Sequence, residues 1–157
     1  MRSAAVGFLL WVLLFACGAV TFDREEKIPM QTIPGTHGPL AYSYAVLIPK
    51  QDTGLVTSAT LKSMTFQVTD MTVTFDFVDS VHVYAESFYD DGMLPKIEIA
   101  SSDPVPRNIS VLSLDVNHSE DVLPYLEQGS KITIVAKGHF PDTAVGVEGS
   151  VIFTVRL

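Results

Sequence analysis

From Ala41 to the C-terminus, apolar and polar residues alternate with a period of two, the pattern that sends successive side chains to opposite faces of a β-strand. Met71, Val73, Phe75 and Phe77 alternate with Thr72, Thr74 and Asp76, and Val81, Val83 and Ala85 alternate with His82, Tyr84 and Glu86. Ile97 and Ile99 stand against Lys96 and Glu98, and Leu112, Leu114 and Val116 against Ser113 and Asp115. Ile132, Ile134 and Ala136 follow. A last long run places Val145, Val147, Val151, Phe153, Val155 and Leu157 on one phase, leaving Ile152, Thr154 and Arg156 on the other.

The breaks in this pattern are as informative as the runs. Ala59 and Leu61 lie on one parity, but Met64, Phe66 and Val68 lie on the other, so the strand must absorb one extra residue near Lys62 and Ser63 as a β-bulge. Asp91-Gly92 suits a hairpin turn, because glycine tolerates the positive φ such turns need. Asp103-Pro104-Val105-Pro106 predicts an extended break at the surface. A short helix is predicted over 119–128, with Ser119 as its cap, Glu120 and Asp121 in its first turn, Pro124 limiting its length and Gly129 as its stop.

These elements predict an all-β fold over residues 41–157: an antiparallel β-sandwich of about seven or eight strands with one short helix. An outer-membrane barrel also alternates, but it needs more regular strands of roughly ten residues with aromatic girdles. The runs here are shorter and interrupted by proline.

The first 40 residues follow a different grammar. Arg2 precedes an uncharged stretch from Ala4 to Val20 whose centre is Phe8 to Phe15, as in an export signal. It falls short of the roughly 20 apolar residues of a spanning helix before Asp23, Arg24, Glu25, Glu26 and Lys27 begin. Leu14-Phe15-Ala16-Cys17 resembles the lipobox of bacterial lipoproteins, which implies a signal over residues 1–16 and a diacylated Cys17 as the mature N-terminus. Two long chains of the palmitate type give stable anchoring, since each buried CH₂ contributes about 0.8 kcal/mol. Ordinary cleavage near Ala19 to Thr21 is the alternative. Residues 17–40 contain Pro29, Pro34, Pro39, Gly35 and Gly38 with no sustained apolar period, and are expected to form a solvated tether that adds nothing to the core.

The run Cys17-Gly18-Ala19-Val20-Thr21-Phe22-Asp23 is also similar to the start of small lipoproteins of myxobacterial type. The likeness continues loosely through Leu61-Lys62-Ser63, Phe77-Val78-Asp79-Ser80-Val81, Asp103-Pro104-Val105-Pro106 and Leu123-Pro124-Tyr125. It implies a lipoprotein and carries over no catalytic or binding residue.

Charge and cysteine usage narrow the partners. With 10 Lys and Arg against 18 Asp and Glu, the chain repels polyanions, so nucleic acid is not an expected partner. The single cysteine closes no internal disulfide, which leaves the core and the strand ladders to hold the fold.

Candidate chemistry is sparse. His37, His82, His118 and His139 are scattered without metal-site spacing. His82 shares a predicted polar strand face with Tyr84 and Glu86, where a metal-dependent or hydrolytic site could gather. Asp70, Asp76, Asp79, Asp90 and Asp91 could supply oxygen ligands for a loop-built calcium site. No serine lies in a nucleophile elbow, and no glycine-rich loop with a following lysine cradles phosphate. Asn108-Ile109-Ser110 and Asn117-His118-Ser119 match the glycosylation pattern, which matters only in a eukaryotic secretory pathway. The sequence therefore predicts a non-enzymatic envelope protein without a cofactor. It would be held to the outer membrane by a lipid on Cys17 and would recognise an envelope protein or glycan. The alternatives are a periplasmic or secreted protein, and an envelope enzyme built on His82, Tyr84 and Glu86 or on the aspartate loops.

Overall fold

The computed structural model describes residues 20–50, 52–88 and 94–157. Cys17, the predicted signal and the Asp91-Gly92 turn lie outside the described residues. Nine strands are present among them: β1 (Thr21–Ile33), β2 (Pro39–Ile48), β3 (Ser58–Val68), β4 (Val78–Ser87), β5 (Ile97–Ser102), β6 (Val111–Ser113), β7 (Asp115–Val116), β8 (Ser130–His139) and β9 (Val145–Arg156). One helix, α1 (Leu123–Gln128), precedes β8. The strands form a four-stranded sheet in the order β1-β9-β3-β6 and a five-stranded sheet in the order β2-β8-β4-β5-β7. Every pairing is antiparallel. The expected all-β sandwich is the observed architecture.

The inward phases are those the alternation gives. Leu61, Met64, Phe66 and Val68 of β3 meet Val81, Val83 and Ala85 of β4 across the interior, and Leu112, Ile134 and Ala136 close the core around them. The parity switch in β3 is a bulge: Leu61 pairs with Phe153 and Ser63 with Ile152, leaving Lys62 as the extra residue. Lys62 is exposed and ion-pairs with Asp23 on the outer face. The apolar run from Leu112 to Val116 crosses between the layers, since β6 pairs with β3 and β7 with β5.

Four expectations are corrected. Residues 21–33, assigned by composition to the tether, are strand β1 on the edge of the four-stranded sheet, paired with β9 from Thr21↔Arg156 to Ile33↔Val145. An edge strand has one neighbour and solvent on its outer face, so it need not show apolar alternation. Asp23 and Glu25 bond Thr154 and Ser150 on that outer face. Pro29 falls where the register shifts between Ile28 and Gln31, a place in a ladder that tolerates the missing N–H. The turn chemistry predicted for this segment is confined to residues 34–38.

The alternating segment from Met71 to Phe77 is a turn followed by a 3-10 turn, Phe75–Phe77, and no strand. Asp70 accepts hydrogen bonds from both the backbone N–H and the hydroxyl of Thr72, and Val73 N–H donates to Asp70 O, so a local turn displaces the ladder. Phe75 and Phe77 are both buried and stacked 6.1 Å apart.

The helix is shorter than predicted. Its N-cap is Val122, and Asp121 instead accepts from the backbone N–H groups of Ala59 and Leu123, which ties this stretch to β3. Gly129 ends the helix as expected, with φ of 83°. Within the proline-bearing break, Val105 is buried and not at the surface, its N–H bonded to Asp79 O.

Candidate functional site

β1 and β2 are edge strands of opposite sheets, joined by residues 34–38, and therefore lie on the same side of the sandwich. Along this side the inner faces are incompletely filled. A cavity of about 400 Å³ extends from the β1–β2 seam into the interior, within the roughly 300–1,000 Å³ of small-molecule sites. Its walls are largely apolar: Val46, Ala85, Ile99, Ile132, Val151 and Phe153 come from both sheets. A second void of about 60 Å³ adjoins it, sharing Ile28, Pro29 and Ile134, and continues along the seam past Tyr42, Tyr44 and Ala136. The two make an elongated apolar slot, thin because only one layer of side chains separates packed sheets.

The end of the larger cavity is closed by α1 and by Pro49, Asp52, Thr53 and Val56. Leu123, Tyr125 and Leu126 line it, Tyr125 donates to Pro95 O at 2.6 Å, and Thr53 donates to the Glu127 carboxylate at 2.8 Å. Burial, and then the negative charge of Glu120, pushes the Tyr125 hydroxyl above its ordinary pKa, so it stays a donor.

Ser130 differs from the other hydroxyls at this end, Thr53 and Tyr125, which have partners. It shares the inward phase of β8 with Ile132, Ile134 and Ala136, has no exposed surface, and lines the cavity. Its hydroxyl has no hydrogen-bond partner among the described residues. An unpaired buried hydroxyl costs on the order of 1–3 kcal/mol. At the rim, Arg24 donates to Glu26 at 2.7 Å, while Lys27 lies 3.7 Å from Glu25. The charged residues lining the cavity are Arg24, Lys27, Glu26 and Asp52, two of each sign.

His82, Tyr84 and Glu86 do share one face, as parity predicts, and it is the outer face of the five-stranded sheet. Their register brings partners from neighbouring strands. His82 Nδ1 lies 2.9 Å from Glu98 and its Nε2 3.7 Å from Asp103, its ring stacks on Tyr84 at 6.2 Å, Lys96 sits 4.5 Å over the Tyr84 ring, and Lys131 pairs with Glu86 at 3.0 Å. The hydrogen bond from Lys131 holds the Glu86 carboxyl below its ordinary pKa. Partial burial raises Glu98, but hydrogen bonds with His82 and Ser101 outweigh it and leave that carboxyl below its usual value. The Tyr84 hydroxyl is pushed up by burial and by Glu98. His82, Tyr84 and Glu86 each have a charged neighbour beside them, and none of the three lines either cavity.

The aspartates do not converge. Asp70 is bound to Thr72, Asp76 to Thr74 and Asn108, and Asp79 to Arg107 at 2.6 Å. Asp90 and Asp91 lie outside the described residues. His37, His118 and His139 are dispersed: His118 bonds Leu61 O at 3.1 Å, and His37 lies 3.9 Å from Asp142. Among the described residues no group of three His, Cys, Asp or Glu side chains is placed to hold a metal ion. No helix among them is long and apolar enough to cross a membrane.

No protein family matches the chain, and no curated protein and no solved structure is significantly similar to it. The slot therefore rests on its own geometry. Sequence reasoning passed over Ser130; the available signal was a small polar residue on the inward phase of an otherwise aliphatic strand.

Proposed function

We propose that this chain is a non-enzymatic, lipid-anchored binding module of the cell envelope, and that its binding site is the slot between β1 and β2. The carrying observation is the 400 Å³ apolar cavity, open along the seam of two edge strands. It is more than twice the roughly 150 Å³ that suffices for benzene in an engineered protein cavity. The lipid anchor on Cys17 fits the surface of the same end. There the chain enters at Val20, whose carbonyl accepts from Leu157 N–H, and Val20, Phe22, Leu55 and Leu157 are all exposed. A cluster of exposed apolar side chains at the end nearest the anchor suits a domain held against a bilayer.

Two measurements test the reading. Expressed in a lipoprotein-competent bacterium, the wild-type chain should partition into the detergent phase and Cys17→Ser into the aqueous phase. Equal aqueous partitioning would remove the anchor. For the slot, the uncharged dye Nile red should bind with one-to-one stoichiometry and a rise in emission. Val46→Trp, at a half-buried wall position, should abolish binding while keeping the strand circular dichroism of the wild type. Absence of saturable binding to the folded wild-type protein would remove the site.

A further inference from the structure

Building on the slot as a binding site, we infer that its ligand is a single aliphatic chain ending in an uncharged hydrogen-bonding group, of the monoacylglycerol type. The polar end would be held by the Ser130 hydroxyl. Three independent features of the site define this class.

The first is shape. The cavity and the adjoining void run along the β1–β2 seam from Ser130 at one end to Tyr42 and Ala136 at the other, so the free space is long and one side-chain layer thick. A flexible hydrocarbon chain can follow such a space past irregular apolar walls.

The second is the lone hydroxyl. Ser130 is fully buried in the wall of the cavity, and its hydroxyl, which can both donate and accept, has no hydrogen-bond partner among the described residues. A ligand hydroxyl or ester carbonyl beside it would remove the cost of that orphan group. A purely hydrocarbon ligand would leave it unpaired.

The third is charge. The rim carries two cations and two anions, and Arg24 and Lys27 already face Glu26 and Glu25. The whole chain has a formal net charge of −8. Among the described residues that line the cavity, neither cation is without a facing carboxylate, and the general field opposes a carboxylate or phosphate head. An uncharged head meets neither obstacle.

Displacement of Nile red from the full-length protein by monooleoylglycerol, oleate at pH 8 and hexadecane, each below its aggregation concentration, tests the assignment. Monooleoylglycerol should compete at concentrations at least about tenfold lower than oleate, because only the latter brings an uncompensated charge. Ser130→Ala should weaken monooleoylglycerol about fivefold, the scale of one neutral hydrogen bond. The same variant should leave hexadecane binding unchanged, and Ser130→Thr should restore part of the loss. Oleate binding as tightly as monooleoylglycerol, or Ser130→Ala without effect on it, overturns the ligand class while the slot stands. Failure of Nile red to bind the wild-type protein removes the slot, and the ligand class with it.

Discussion

A Cβ added to Gly138 would lie 2.2 Å from the carbonyl oxygen of Phe77, because the 3-10 turn entering β4 crosses directly against the backbone of β8. The nearest atoms are main chain, also including Val78 Cα at 2.9 Å, so no side chain can rotate away. Gly138→Ala should therefore destabilise the protein by about 3 kcal/mol, the upper part of the overpacking range. A urea melt of this variant checks it; a midpoint equal to the wild type would mean that the turn and β8 separate freely.

The register of β9 predicts an unequal pair. Phe153 points inward and packs on the core, whereas Ile152 falls on the outer phase. Phe153 is only partly buried and borders the cavity, so Phe153→Ala should cost about 2 kcal/mol, less than the roughly 3–5 kcal/mol of a fully buried aromatic. Ile152→Ala should cost less than half of that. Denaturant midpoints for the two variants decide the register, and the reverse ranking would shift it by one residue.

Acid should loosen the junction between the 3-10 turn and the 103–110 loop. The Asp76 carboxylate accepts from Asn108 N–H at 2.6 Å and from the Thr74 hydroxyl at 2.9 Å, and these bonds, with the nearby Arg107 charge, hold its pKa below the ordinary value. The unfolded chain thus binds this proton more readily than the folded one. The stabilisation is complete above the ordinary aspartate value of about 3.9 and is lost as the pH falls through the lower folded-state value. Asp76→Asn should be less stable than the wild type at pH 7, and the gap should shrink as the pH drops below about 4. Urea midpoints across that range test it; a gap constant with pH would contradict the assignment.

A chain beginning at Pro39 should not keep the stability of the domain. It lacks β1 and leaves one side of β9 unpaired over most of its length. Truncation should remove a large part of the roughly 5–15 kcal/mol that holds a typical domain, measured by the urea midpoint against a chain beginning at Val20. Equal midpoints would restore the segment to the role of a tether.

How far the fold could be read from sequence depended on how many neighbours a segment has. The inward phases of β3, β4, β8 and β9, and the bulge at Lys62, were legible because strands with a partner on either side must present a consistent apolar face. β1 was not, since an edge strand with charges on solvent satisfies the same backbone bonds without that signal. Met71 to Phe77 shows the converse: its alternation was real, but Asp70 offered the backbone a local turn that a sequence pattern does not weigh against a ladder. The shared face of His82, Tyr84 and Glu86 followed from parity, whereas their pairing with Glu98, Lys96 and Lys131 required the register. The slot was illegible for a further reason. A void is what residues from both sheets and α1 fail to fill, and no single segment records it.

The pairing of β1 with β9 also sets a schedule for folding. β9 lies between β1 and β3, so the first described strand and the third both wait for the last one, and the contact Thr21↔Arg156 closes nearly the whole described chain. Such long-range closures carry their entropic cost before any ladder rewards it, which places folding in the slow, millisecond-to-second class. A chain delivered with its N-terminus first, from a ribosome or through an export channel, cannot complete its four-stranded sheet until β9 emerges. The topology by itself delays completion of that sheet, and the polypeptide stays threadable until β9 has passed.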